Sequence, residues 1–213
     1  MNVTLSFDNG PDPEVTPRVL DVLGRRDARA HFFVLGKRVA TPVGRALVER
    51  ELAEGHLVGN HSYSHTVPLG DDPRVDAVEQ EIVATQVVLE PLAPGVRRFR
   101  PFGGGGTIGP HLLSRRAVAY LQAEGYTCVL WNAVPRDWEA PGGWSATALA
   151  GMAAHDHTVL VLHDIPNACL AGLDGFLAAA RDRGASFVLD VPAACTPIVD
   201  GHVVAELAPI VRA

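Results

Sequence analysis

Five short stretches hold the side chains that could do chemistry. In LSFDNGPDP (5–13) an apolar, strand-like run stops at Asp8, and Asn9, Gly10 and Pro11 make a turn that continues neither strand nor helix. A carboxylate is left at the lip of a strand, with the amide of Asn9 beside it. HSYSH (61–65) sets His61 and His65 at i and i+4, facing one way if the loop makes a helical turn. That is a metal-pair spacing, although an isolated pair of this kind is commonly just hydrogen-bonded in a polar loop. Two neutral imidazoles and a carboxylate suit zinc and related divalent ions, with positions left open for water and substrate. TVLVLH (158–163) delivers His163 at the end of an apolar run. Asp137, in PRDW (135–138), is the carboxylate that would fix its tautomer and raise its pKa, making it an acid near neutral pH. Asp137 reads otherwise as a solvated loop carboxylate or a helix cap, and Trp138 as plain core or as the wall of a small apolar pocket. In RRFRPFGGGG (97–106) the Arg100-Pro101 exit is rigid, and Arg100 would hold Asp8 ionised through a bidentate contact, or else make a surface salt bridge.

Positioning these groups requires strands that end together. Short β-rich runs at 3–7, 30–35, 56–60, 97–100, 128–132, 158–163 and 186–190 alternate with segments of helical spacing such as 13–26, 43–55 and 75–92. Strand followed by helix, repeated in this way, predicts a parallel sheet, either open and doubly wound or closed as a barrel. In both forms the active site is built at the carboxyl ends of the strands. Asp8, His61, Arg100, Asp137 and His163 each follow such an end and are expected at one rim. The apolar tail after Pro192 is expected to pack back on the body.

The glycines contain a formal GxGxxG from Gly104 to Gly109, but Pro110 follows at once and no acidic residue ends a strand about 20 positions on. The run reads as a mobile loop that lets substrate approach the backbone. A chain of 213 residues, 47% hydrophobic and 20% charged, is long enough for one well-buried domain, expected over 1–213, and is neither disordered nor fibrous. With a net charge of -6 and no basic run longer than a pair of arginines, nucleic acid and anionic membranes are not expected partners. Cys128, Cys169 and Cys195 are odd in number and widely spaced, so buried thiols are expected rather than disulfides. No run approaches the roughly 18 apolar residues of a membrane span. The chain enters a strand at once, so as it stands it reads as cytoplasmic, and extracytoplasmic only if a leader precedes it.

Taken in order, SFDNGP, HSYSH, FRPFG, RDW and LVLH resemble the motifs of the NodB-homology polysaccharide deacetylases, over nearly the whole stretch from Asp8 to His163. The resemblance implies a distorted (β/α) barrel of about seven parallel strands and hydrolysis of N-acetyl groups on chitin- or peptidoglycan-type amino sugars. It implies Asp8 as general base, Arg100 as its orienting partner, His163 as general acid and Asp137 as the residue that tunes it. It further implies a divalent metal, zinc above others, on Asn9, His61 and His65. Trp138 and Val161 or Leu162 would line the acetyl-methyl pocket, with Pro101 also counted as substrate-binding. Three positions depart from the pattern. Asn9 stands where the family has a second, metal-binding aspartate, so weaker metal binding is expected. Val134 stands where another acidic residue is usual, and FRPFG is one residue shorter than the usual third motif. The Asn9 form also resembles the subset that acts on muramic-acid sugars. A small-molecule or cyclic amide hydrolase on the same barrel is the rival expectation, and an inactive sugar-binding module the third, against which the intact Asp8 and His163 argue.

Overall fold

Strands that are apolar on both faces need cover on both, and here helices pack over one face while the curl of the sheet encloses the other. The structure, a computed structural model, describes residues 1–212. In chain order the elements are β1 (Asn2–Asp8), α1 (Thr16–Arg25), β2 (Ala30–Val34), α2 (Gly36–Val39), α3 (Pro42–Ala53) and β3 (Leu57–Asn60). A π-helical turn (Glu79–Val83) then runs into α4 (Ala84–Leu89), followed by β4 (Arg98–Phe99), β5 (Leu113–Ser114), α5 (Arg115–Ala123), β6 (Thr127–Cys128) and α6 (Trp144–Gly151). The last elements are β7 (His157–His163), α7 (Leu170–Asp182), β8 (Ser186–Phe187), β9 (Ile198–Val199), β10 (His202–Val203) and β11 (Val211–Arg212).

Nine strands form one sheet in the order β10-β9-β6-β4-β3-β2-β1-β7, with β8 also paired to β1. Strands β1 to β4 and β6 to β8 run parallel. The chain just past β6 reaches back to β7: Val161 N–H donates to the Ala133 carbonyl at 2.9 Å and Val159 N–H to Asn132 Oδ1 at 2.7 Å. This contact draws the two sides of the sheet into a distorted barrel. Two cores result. Leu5, Phe7, Phe32, Leu160 and Leu162 face the helices, packing with Leu20 and Leu23 of α1, Trp144 of α6 and Phe176 of α7. Phe99, Cys128, Trp131, Val159 and Val161 face inward with Leu121 of α5.

The sheet departs from the all-parallel expectation in its tail. Strands β9 and β10 are antiparallel because Asp200-Gly201, both at positive φ (48° and 80°), make a two-residue hairpin turn. The tail does pack back on the body, β9 against β6 and β11 against β5. The helical pattern at 75–92 is helical only from Ala77, and it passes through a π turn at Glu79–Val83. Asn60 Nδ2 donates to the Ile82 carbonyl at 2.9 Å, and Glu81 turns inward, so the helix opens where two side-chain contacts pull on it. All three cysteines are free and buried. Among the described residues no helix is long and apolar enough to cross a membrane.

Candidate active site

Parallel pairing sets the acid and base side by side. In the β1–β7 register Asp8 lies opposite His163, so the two strands bring both to the same rim. Asp8 is 4% exposed, and Arg100, fully buried, donates from one guanidinium nitrogen to Asp8 Oδ1 at 2.8 Å and to Ser6 Oγ at 2.7 Å. The expected bidentate contact is not formed. The other guanidinium nitrogens are turned to the Val129 and Leu130 carbonyls, which fix the fork in place. Phe33 lies beneath it, its ring centre 3.9 Å from the guanidinium carbon. Burial pushes the Asp8 pKa up, but the charge of Arg100, then those of His61 and His163, outweigh it and hold the carboxyl below its usual range.

His163 is oriented from behind. Its ring Nδ1–H donates to Asp137 Oδ1 at 2.8 Å, and its backbone N–H donates to Asp137 Oδ2 at 2.8 Å. Asp137 is fully buried, neither a solvated loop group nor a free cap. With Nδ1 so occupied, Nε2 is the nitrogen left for a substrate. Burial works against a charged ring, but the hydrogen bond and charge of Asp137, joined by Asp8 and Asp164, leave the His163 pKa raised. Trp138 meets the ring edge-on at 4.7 Å between centroids.

The histidine pair is brought together without a helical turn. Ser62 and His65 adopt positive φ (70° and 56°), and the loop is pinned by Glu81, which accepts from Tyr63 N–H at 3.0 Å, Ser64 N–H at 2.8 Å and Ser64 Oγ–H at 2.6 Å. The two rings lie 5.1 Å apart, with His65 stacked on Phe102 at 3.8 Å. His61 Nδ1–H donates to the Arg100 carbonyl at 2.8 Å, leaving Nε2 as a lone pair 3.5 Å from Asp8 Oδ2. Burial above all lowers the His61 pKa and, with the neighbouring His61, takes that of His65 to about 3, so both rings are neutral. Asn9, held at φ 75°, has a buried Oδ1 that accepts no hydrogen bond. Two neutral imidazoles, one with its far nitrogen anchored on a carbonyl, and an orphaned amide oxygen are a donor set that fits a divalent cation.

These groups share one cavity of about 310 Å³. Asp8, Asn9, His61, His65 and His163 line it with Pro101, Trp138 and Val161, while Arg100 and Asp137 support it from behind. Leu162 is a correction: side chains alternate along β7, so Val161 faces the cavity and Leu162 is fully buried in the helix-side core. The glycine run is part of the wall, a short 3₁₀ turn with positive φ throughout Gly103–Gly106, and no dinucleotide site. Ser6, Glu81 and Asn60, which brace Arg100 and the histidine loop, and Asp164 are not singled out by the sequence alone. The buried Asp164 carboxyl accepts from Thr16 Oγ–H and abuts Gly10 so closely that a Cβ there would overlap it. Their signal, a polar residue inside an apolar pattern, is visible only once a partner is known.

The family model for polysaccharide deacetylase matches residues 1–129. The chain is 36% identical over 180 residues to the chitooligosaccharide deacetylase of Rhizobium leguminosarum bv. trifolii, covering 81% of this chain and 78% of that protein. It is 33% identical over 187 residues to the peptidoglycan-N-acetylglucosamine deacetylase PgdA of Listeria monocytogenes, covering 87% of this chain but only 37% of that protein's length. Among solved structures it resembles the Bc1960 peptidoglycan N-acetylglucosamine deacetylase (TM-score 0.73, 27% identity, 88% of this chain and 85% of that one). It also resembles a family 4 acetyl xylan esterase from Clostridium thermocellum in complex with a cobalt ion (TM-score 0.70, 28% identity, 88% and 87%). With the family match extending through the strands that carry Asp8, His61, His65 and Arg100, the chain belongs to the polysaccharide deacetylase family.

Proposed function

We propose that this protein hydrolyses the N-acetyl amide of amino-sugar units in chitin- or peptidoglycan-type saccharides, releasing acetate and a free amine. The observation that supports this most directly is the pairing of an arginine-held carboxylate, Asp8, with an aspartate-backed imidazole, His163, across adjacent strands of one cavity. Asp8, kept ionised, takes a proton from the attacking water. His163, its pKa raised by Asp137, gives its Nε2 proton to the departing amine nitrogen, so the carbon–nitrogen bond breaks with the proton supplied. Zinc or a related divalent ion, on Asn9, His61 and His65, would supply Lewis acidity to the amide carbonyl. The buried setting of both residues strengthens each of these interactions over its value in water.

The relatives' names support the reading, and their substrates, chitooligosaccharide in one and peptidoglycan N-acetylglucosamine in the other, define the assay. Purified protein should release acetate from chitooligosaccharides or peptidoglycan fragments, and metal analysis of untreated protein should be run beside it. Because Asn9 offers a neutral oxygen, calorimetry should show zinc bound about tenfold or more tightly by Asn9→Asp than by the parent chain. Equal affinities would remove Asn9 from the ligand set. Turnover of cyclic amides without acetate release would replace the deacetylase reading with the small-molecule one.

A further inference from the structure

Four glycines in a row are hard to hold still. Glycine loses more backbone freedom on folding than any other residue, and Gly103–Gly106, all at positive φ (135°, 57°, 59° and 89°), have no side chains with which to fix themselves. Gly103, Gly105 and Gly106 nonetheless form part of the cavity wall. Within the run, Gly106 N–H donates to the Gly103 carbonyl and Thr107 N–H to the Gly104 carbonyl, both at 3.1 Å. The Trp131 indole N–H donates to the Gly106 carbonyl at 2.6 Å. The remaining restraint is packing, and one ring recurs in it.

The imidazole of His111 is pressed against the run. A Cβ on Gly103 would lie 2.7 Å from its Cδ2, one on Gly104 2.8 Å from its Nε2, and one on Gly109 2.9 Å from its Cε1. Gly109 is not at positive φ, and the ring is all that a Cβ there would meet within 4 Å, so the ring alone accounts for a glycine at that position. Nε2 is buried without a hydrogen-bond partner, so the ring holds the run by its shape. The main chain of the same residue reaches the other loop of the site. The His111 carbonyl accepts Gly70 N–H at 2.9 Å, and Pro68, just past the histidine loop, flanks Gly103 with its Cγ 2.8 Å from where a Cβ would stand.

The geometry points to His111 as a positioning residue: its ring and its carbonyl clasp the glycine run to the segment that continues the histidine loop, and so set the wall that a saccharide meets. His111 does not line the cavity itself and acts through that wall. The clasp stands apart from the chemistry, and its effect on turnover rests on the deacetylase reading above.

Hydrogen exchange on the purified protein tests the clasp. His111→Ala should speed exchange of the Gly106 and Thr107 amides about tenfold or more while β1 and β7 keep the protection they have in the parent chain. His111→Phe, which keeps a ring in the seat, should restore slow exchange. Gly109→Ala, which drives the ring out, should reproduce the His111→Ala pattern and add nothing to it in the double variant. Unchanged exchange at Gly106 and Thr107 would overturn the inference, as would an equal rise across β1 and β7, which would make His111 a general stability residue. Gly109→Ala is read by the same criteria and decides if His111→Ala does not fold. On acetylated chitooligosaccharides, His111→Ala should raise KM about tenfold with kcat changed less than about threefold, and His111→Phe should recover KM. A fall in kcat at constant KM would overturn the role in setting the wall. If the parent chain releases no acetate, the deacetylase reading fails, and the exchange results alone decide the clasp.

Discussion

In the proposed reaction Asp8 and His163 serve one transition state from opposite ends of a proton path, and their substitution should show that dependence. Asp8→Asn keeps the shape and removes the base, and His163→Ala removes the acid. Each should lower kcat/KM by about two to four powers of ten, and the double variant should lose far less than the product of the two. His202, exposed on the tail hairpin, is the proper control in these measurements. His111 is not, because its ring packs against Gly103, Gly104 and Gly109. The pH profile carries the role of Asp137. The bond and charge of Asp137 raise the His163 pKa, so the protonated acid, and with it the activity, is lost only as pH rises above the ordinary imidazole value. Asp137→Asn should move the alkaline limb of kcat/KM to lower pH, and a limb that stayed in place would assign it to another group.

Between residue and fold, the histidine loop depends on a helix that pays attention to it through a single side chain. Glu81 gathers Tyr63 N–H, Ser64 N–H and Ser64 Oγ–H and also meets Arg74 at 3.0 Å. Glu81→Ala would leave part-buried donors without their partner and should cost about 1–3 kcal/mol in urea unfolding, with zinc affinity falling alongside. If affinity held while stability fell, the loop geometry would be independent of its brace. This interaction also marks the limit of what the sequence shows. Asp8, His61, His65, Arg100 and His163 were legible because each is a chemically distinctive residue at the end of an apolar run, and parallel sheets gather such ends at one rim. Glu81 lies in a helical pattern as one charge among several, and only the folded loop 17 and 18 positions away distinguishes it. Leu162 was indistinguishable from Val161 because β7 is buried on both faces, so the alternation that tells inside from outside is missing from its composition. The β9–β10 hairpin had a readable signal in Asp200-Gly201, and the antiparallel tail follows from it.

At the scale of the whole molecule, two of the buried carboxyls that the mechanism does not use have oxygens without a partner. Both oxygens of Glu51, on α3, lack a partner, as does Asp164 Oδ1 beside the acid. Burial first, and for Glu51 the nearby Asp164, raises both pKa values, that of Asp164 to about 7. A carboxyl with a raised folded pKa keeps a proton that the unfolded chain has lost. Its stability contribution is full below the unfolded value, 4.5 for Glu51 and 3.8 for Asp164, and declines as pH rises toward the folded value. His31 and His56, held down to about 4 by burial, act in the opposite direction below 6.5, so the informative quantity is a difference between variants. Glu51→Leu should be more stable than the parent chain at pH 8 by about 1–3 kcal/mol in urea unfolding, with the gap narrowing as pH falls toward 4.5. A gap that did not change with pH would mean that Glu51 is equally charged in both states. The placement of β1 between β2 and β7 also bears on how the protein is made. Ser6 and Leu160 touch although 154 positions apart, and Asp8 and His163 meet through the same pair of strands. During synthesis β1 must wait, one edge open, until β7 has left the ribosome. No nascent chain that ends before β7 contains both Asp8 and His163, so the site is assembled in one step, when β7 pairs with β1.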